Sequence, residues 1–161
     1  MIEVYKGIWV GTADDYEDEV KGQKGWAVVH ACKEPYHRKL IGYKGRGCPK
    51  SHPEYLYADR GDRLYLNMVD VPDKKFYSDE MIGKALDFIY QKWEVEHKDV
   101  LIHCNRGVSR SPSLALLFFV RSGILEGETL EDIIEQFKEV YPDYNPGQGI
   151  LGYVEDCWSR G

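Results

Sequence analysis

The stretch from Val100 to Val120 constrains the fold of this chain more than any other. Val100-Leu101-Ile102-His103 has the length and apolar character of a short buried strand. The polar, glycine-containing segment Cys104-Asn105-Arg106-Gly107-Val108-Ser109-Arg110 has room only for a tight loop. Ser111-Pro112-Ser113 then opens a strongly apolar helix through Val120, and proline is tolerated in a first turn. A buried strand feeding directly into a buried helix is the building unit of an α/β sheet covered by helices.

The rest of the chain supports that unit. Gly7–Val10 with Gly11-Thr12 reads as a short strand and turn, and Trp26–Cys32 as a buried strand. Leu64, Leu66 and Met68 alternate onto one face of a further strand, followed by a turn over Asp70–Lys75. Ser78 is placed to cap a helix whose apolar residues Ile82, Ala85, Leu86, Ile89 and Trp93 recur at helical spacing over 79–93. Thr129 and Asp132 resemble a capping box for a helix ending near Tyr141. After Asn145-Pro146-Gly147, a last helix runs from about Gly149 to Trp158. The expected fold is α/β: a central, mostly parallel twisted sheet of four to five strands with helices on both faces. Residues 1–161 form one domain, and an irregular insertion at about 33–62 carries Arg38, Lys39, Lys44, Arg46 and Lys50.

Composition removes several functions. The net charge of −6 argues against general nucleic-acid binding. No run of about 18 apolar residues is present to span a membrane, and no lipidation motif marks either end. The first residues lack the apolar core of a signal peptide, so the four cysteines are expected as free thiols in a reducing, cytoplasmic setting. The five histidines show no metal-ligand spacing, so neither metal nor cofactor is expected.

The loop between strand and helix carries the chemistry. A tight turn at a helix N-terminus points successive N–H groups inward, and the helix dipole adds positive potential; together they cradle an anion. Asn105, Arg106, Gly107, Val108, Ser109 and Arg110 form that phosphate-binding segment. A cysteine at its start, Cys104, is favoured as the thiolate, the nucleophilic form. Arg110, six residues on, holds two phosphate oxygens with one planar fork, which a lysine cannot do. The Ser111 hydroxyl can donate to the sulfur when it leaves. His103 is expected to orient the loop from the strand side.

The joint pattern His103-Cys104-x-x-Gly107-x-x-Arg110-Ser111 resembles the signature of the dual-specificity branch of the protein tyrosine phosphatases. The resemblance extends to Gly7–Gly11, to Trp26–Cys32 and to the turn over Pro142–Gly147, and departs from the family at 33–62, which is longer and more basic. It implies a monomeric hydrolase that dephosphorylates phosphotyrosine, and also phosphoserine or phosphothreonine, in protein substrates through a cysteinyl-phosphate. It also implies a general acid, an aspartate about thirty residues before the cysteine. Asp73 fits that spacing, whereas Asp70 continues the alternation of Leu64, Leu66 and Met68. Asp70 is taken as the acid and Asp73 as the alternative. The other readings are a non-protein substrate, such as a phosphoinositide or an RNA 5′ phosphate, and a non-catalytic phosphopeptide-binding module.

Cys32 ends its strand on the edge where Cys104 ends its own, so the two thiols are candidates for a redox pair. A similar strand-end cysteine pairs with the nucleophile in the regenerating-liver and tensin-like phosphatases. The alternative is that Cys32 is a small buried core residue.

Overall fold

The computed structural model describes residues 1–161 and contains one six-stranded sheet. Its strands are β1 (Ile2–Tyr5), β2 (Ile8–Gly11), β3 (Trp26–His30), β4 (Tyr57–Asp59), β5 (Arg63–Leu66) and β6 (Asp99–His103), in the order β1-β2-β6-β3-β5-β4. The four inner strands are parallel, and β1 and β4 flank them antiparallel. The expected count of four to five strands is therefore too low by the edge strands. Both are short partners of tight turns at Gly7 (φ +85) and Gly61 (φ +81), and neither has the length of an apolar run.

The sheet alternates its side chains between two unequal layers. Ala27, Val29, Val100 and Ile102 face the larger core. That core is completed by α3 (Asp79–Tyr90), α4 (Arg110–Arg121), α5 (Leu130–Val140) and α6 (Gln148–Arg160). Ser78 and Thr129 cap α3 and α5 as expected, accepting from Met81 N and Asp132 N. Every residue of α4 from Ser111 to Phe119 is buried, which is why that helix is apolar all round. Val28 and Leu101 point to the opposite face, where Tyr16 and Val20 cover them. Only short helical segments lie there: α1 (Ala13–Asp15), continued by the turn Tyr16–Val20, and the turn Lys33–His37, continued by α2 (Arg38–Ile41).

The insertion expected to be irregular is partly built. His37 is buried, and its Nε2 donates to the Glu54 carbonyl at 2.8 Å while its Nδ1 accepts from the Tyr43 hydroxyl at 3.0 Å. The Arg38 guanidinium holds the Tyr43 and Gly45 carbonyls and pairs with Glu34 at 2.7 Å. Two side chains thus close the excursion, although glycines and prolines hide any period in its sequence.

Close approach of the 70–73 loop to α6 depends on glycine. A Cβ on Gly149 would collide with the Val71 carbonyl oxygen, and one on Gly147 would stand 2.6 Å from Asp70 Oδ1. Gly149→Ala is expected to cost about 1–3 kcal/mol through overpacking, read from the midpoint of urea unfolding. An unchanged midpoint would mean that the loop yields at no cost.

Candidate active site

Cys104 follows the last residue of β6 and α4 begins at Arg110, so the expected loop lies between them. Its geometry follows from where its carbonyls go. The Cys104 carbonyl lies 3.1 Å from His103 Nδ1, and the Asn105 carbonyl accepts from Ala13 N at 3.3 Å. The Gly107 carbonyl accepts from the Tyr141 hydroxyl at 2.5 Å, and the Val108 carbonyl accepts from Asn145 N at 2.8 Å. These donors sit outside the loop. The amide of Gly107 points the other way and donates to Cys104 Sγ at 3.3 Å. The amides of Asn105, Arg106, Val108 and Ser109 donate to no protein acceptor, so they remain available to an anion. Gly107 has φ +72, and a Cβ there would meet the Gly11 carbonyl at 2.9 Å, so the turn requires glycine.

Of the other expected residues, Ser111 touches the same sulfur, and the rest are fixed along the loop. Ser111 Oγ lies 3.2 Å from Cys104 Sγ and 3.4 Å from the Gly11 carbonyl. Arg110 donates from Nη1 to the Met68 carbonyl at 3.1 Å and from Nη2 to Asn105 Oδ1 at 2.8 Å. Its Nε is buried and has no hydrogen-bond partner, as suits a donor reserved for an oxyanion. Asn105 also donates to the Glu34 carbonyl at 2.8 Å and so ties Arg110 to the start of the insertion. Ser109 Oγ accepts from Gly147 N at 2.8 Å and anchors the loop to α6. Arg106 is exposed, on the outer side of the loop.

The two candidate acids differ in engagement. Asp73 caps the turn Lys74–Phe76, accepting from Lys75 N at 3.0 Å, and lies 3.5 Å from Lys75 Nζ. Asp70 has no hydrogen-bond or ion-pair partner and is exposed beside Gly147. It follows Met68, whose carbonyl holds Arg110, by two residues. The Tyr77 hydroxyl donates to the Val69 carbonyl at 2.8 Å and accepts from Val71 N at 3.3 Å, clamping the backbone on both sides of Asp70. Nothing in the sequence marks Tyr77, because a lone tyrosine before a helix cap carries no pattern.

Cys32 is fully buried and unbridged. Its neighbours donate to the ends of the adjoining strands: Ala31 N to the His103 carbonyl at 2.8 Å, and Lys33 N to the Met68 carbonyl at 2.9 Å. Burial pushes its thiol up to about 12, opposed by Arg110 and reinforced by Cys104. No group of three His, Cys, Asp or Glu residues is placed to hold a metal ion. No helix is long and apolar enough to cross a membrane. A cavity of about 610 Å³ between α3, α4 and α6 contains no residue of the loop.

Comparison with known proteins agrees with this fold. No protein-family model matches the chain. A probable dual specificity protein phosphatase from Dictyostelium discoideum is 30% identical over 92 residues, or 56% of this chain. The chain spans only 39% of the length of that curated relative. Among solved structures, the human tyrosine phosphatase-like serine/threonine/tyrosine-interacting protein superposes with a TM-score of 0.68 at 17% identity, over 99% of this chain and 95% of its own. The Cydia pomonella PTP-2 phosphatase gives 0.62 at 22% identity, over 96% and 88%. The fold is that of the dual-specificity and protein tyrosine phosphatases, over nearly the whole chain.

The buried histidines predict a pH response. Burial lowers the proton affinity of His30 well below the ordinary value of 6.5 and brings His103 down to about 4; it lowers His37 as well. The unfolded chain therefore binds more protons than the folded one between pH 6.5 and 4. Stability is fully present above 6.5 and is lost as pH falls through that window. The urea midpoint should drop from pH 7 to pH 5, and drop less in His103→Asn. An equal drop in both would assign the acid loss elsewhere.

Proposed function

We propose that this chain is a cysteine-dependent phosphatase that hydrolyses phosphotyrosine, and phosphoserine or phosphothreonine, in protein substrates. The observation that carries the reading is the pairing of Cys104 Sγ with inward amides and a buried, unpartnered Arg110 Nε on one tight loop. Cys104 Sγ attacks phosphorus in line, and the bond to the leaving oxygen breaks as the S–P bond forms. Arg110 and the loop amides stabilise charge on the equatorial oxygens. Asp70 gives its proton to the leaving oxygen, then takes one from the water that hydrolyses the cysteinyl-phosphate. Ser111 donates to the departing thiolate. Residues 1–161 act as one catalytic domain and monomer, and the free thiols suit a reducing, cytoplasmic setting.

One observation favours a more highly charged, non-protein substrate. Lys39, Lys44, Arg46 and Lys50 of the insertion, and Arg106 of the loop, are exposed, and none is in an ion pair. A panel of phosphopeptides, phosphoinositides and RNA 5′ phosphates separates the two substrate classes. A pure binding module would turn over none of them.

Cys104→Ser should reduce aryl-phosphate hydrolysis to background while retaining vanadate binding, and Arg110→Lys should lose about 100-fold or more. Asp70→Asn should lose about 10²–10⁴-fold on a poor leaving group and far less on a good one. Asp73→Asn should keep full activity on both leaving groups and most of its stability, because the asparagine oxygen still accepts from Lys75 N as the cap of the Lys74–Phe76 turn. Retained turnover in Cys104→Ser, or the leaving-group signature in Asp73→Asn, contradicts these roles.

A redox role for Cys32 follows from its strand-end position. Peroxide oxidises the Cys104 thiolate to the sulfenic acid, and Cys32 sulfur displaces water to form the disulfide. The high proton affinity of Cys32 makes that step slow. Wild type should regain activity with reductant after peroxide, and Cys32→Ser much less; equal recovery would leave Cys32 as core packing.

A further inference from the structure

On the sheet face away from the main core, side chains from β5, β3 and β6 form one continuous line of hydrogen bonds. Arg63 Nε donates to His30 Nε2 at 3.1 Å. His30 Nδ1 lies 2.6 Å from His103 Nε2, and His103 Nδ1 lies 3.1 Å from the Cys104 carbonyl oxygen. An arginine Nε carries a hydrogen and no available lone pair, so it can only donate. His30 Nε2 must then accept, which puts the His30 proton on Nδ1. That proton points at His103 Nε2, which must accept in turn. The single His103 proton is left on Nδ1, facing the Cys104 carbonyl. With both rings neutral this is the one arrangement that satisfies all three contacts. A charged ring at His103 would set N–H against N–H across 2.6 Å.

The rings cannot turn away from this line. His30 and His103 are both fully buried. Tyr16 stacks on His103 with centroids 5.3 Å apart and planes within 7°. Tyr36 and Tyr65 stack on His30 at 4.7 and 4.6 Å. The Arg63 guanidinium lies 5.2 Å from the Tyr16 ring and 5.1 Å from the Tyr65 ring, so the same aromatics fix the donor that sets the direction. The charged groups facing the pair are Arg63, Arg110 and, at a distance, Glu17. Burial disfavours a charged ring at both positions, the two arginines act in the same direction, and together they outweigh the Cys104 carbonyl and Glu17 at His103, so both rings stay uncharged near neutrality.

We propose that His30 and Arg63 are positioning residues for the nucleophile: they lock His103 as the Nδ1–H tautomer, so that it holds the Cys104 carbonyl out of the anion cradle. This rests on the reading of Cys104 as the nucleophile. Neutral imidazole in water prefers its proton on Nε2. Without His30, His103 reverts toward that form and turns a lone pair on the Cys104 carbonyl. The carbonyl oxygen then loses its donor and is free to swing toward the sulfur and the phosphate oxygens, where a negative dipole opposes both. Arg63 acts one step further back, since without its Nε–H the His30 ring is free to reverse its own tautomer.

The tautomers are read directly on protein labelled with ¹⁵N-histidine, from long-range proton–nitrogen correlations at pH 7. Wild type should show both rings neutral with the proton on Nδ1. A proton on Nε2 of either ring, or on both nitrogens, overturns the proposal whether or not the chain proves to be a phosphatase. Arg63 is half-exposed, so Arg63→Met should fold, and its His30 should shift toward the Nε2–H form; an unchanged His30 removes Arg63 from the line. In aryl-phosphate kinetics, His30→Ala should lower kcat roughly 10- to 100-fold with little change in KM. His30→Asn, whose amide can donate to His103 Nε2, should recover most of that loss. Unchanged kcat in His30→Ala, or no recovery in a folded His30→Asn, overturns the positioning role. An inactive wild type with the expected tautomers would sink the phosphatase reading and leave the hydrogen-bond line standing.

Discussion

The site depends on one constraint: the carbonyls of the Cys104–Val108 turn must face away from the sulfur. A peptide unit that turns its oxygen outward turns its hydrogen inward, so each outward carbonyl bond helps to set the cradle. The donors lie outside the loop: His103, the last residue of β6, and, from distant parts of the chain, Ala13 at the start of α1, Tyr141 after α5, and Asn145 before α6. The loop does not hold its own shape. The surrounding elements impose it, and the role proposed for Cys104 rests on their arrangement.

That dependence explains the architecture around it. The parallel neighbours β2 and β3 bring Gly11 and His30 level with His103 at the end of β6. Gly107 leaves room for the Gly11 carbonyl, Ser111 Oγ lies beside that same carbonyl, and His30 completes the line from Arg63. On the other side, the turn before α6 carries Asn145 and Gly147, which bind Val108 and Ser109. The same turn receives the Asp70 loop, because Gly147 and Gly149 leave it room. The proposed nucleophile's loop and Asp70 are thus brought to one turn, with Tyr77 fixing the backbone on both sides of Asp70.

Much of this was legible in the sequence. The strand at Val100–His103, the apolar helix after Arg110, the caps at Ser78 and Thr129, and the anion loop all announce themselves within a dozen residues. Local hydrophobic period and local turn chemistry are enough to see them. What stayed hidden is non-local. His30 and His103 are 73 positions apart, and nothing near either residue marks their contact. Tyr77 and Gly149 matter only because the Asp70 loop folds back onto them. The edge strands β1 and β4 are too short to show a period, and the 33–62 insertion is ordered by His37 and Arg38 through single side chains. Spacing along the chain likewise cannot reveal that Asp73 is engaged as a cap and Asp70 is not.

The central claim is that Cys104 carries the phosphoryl group between substrate and water. Rapid acid quenching during turnover of an aryl phosphate, followed by mass spectrometry of the proteolysed protein, tests it directly. The account predicts a phosphate adduct on the peptide containing Cys104, enriched in Asp70→Asn with a good leaving group, where hydrolysis of the intermediate slows more than its formation. Full turnover with no adduct on Cys104, or with the adduct on another residue, would contradict it.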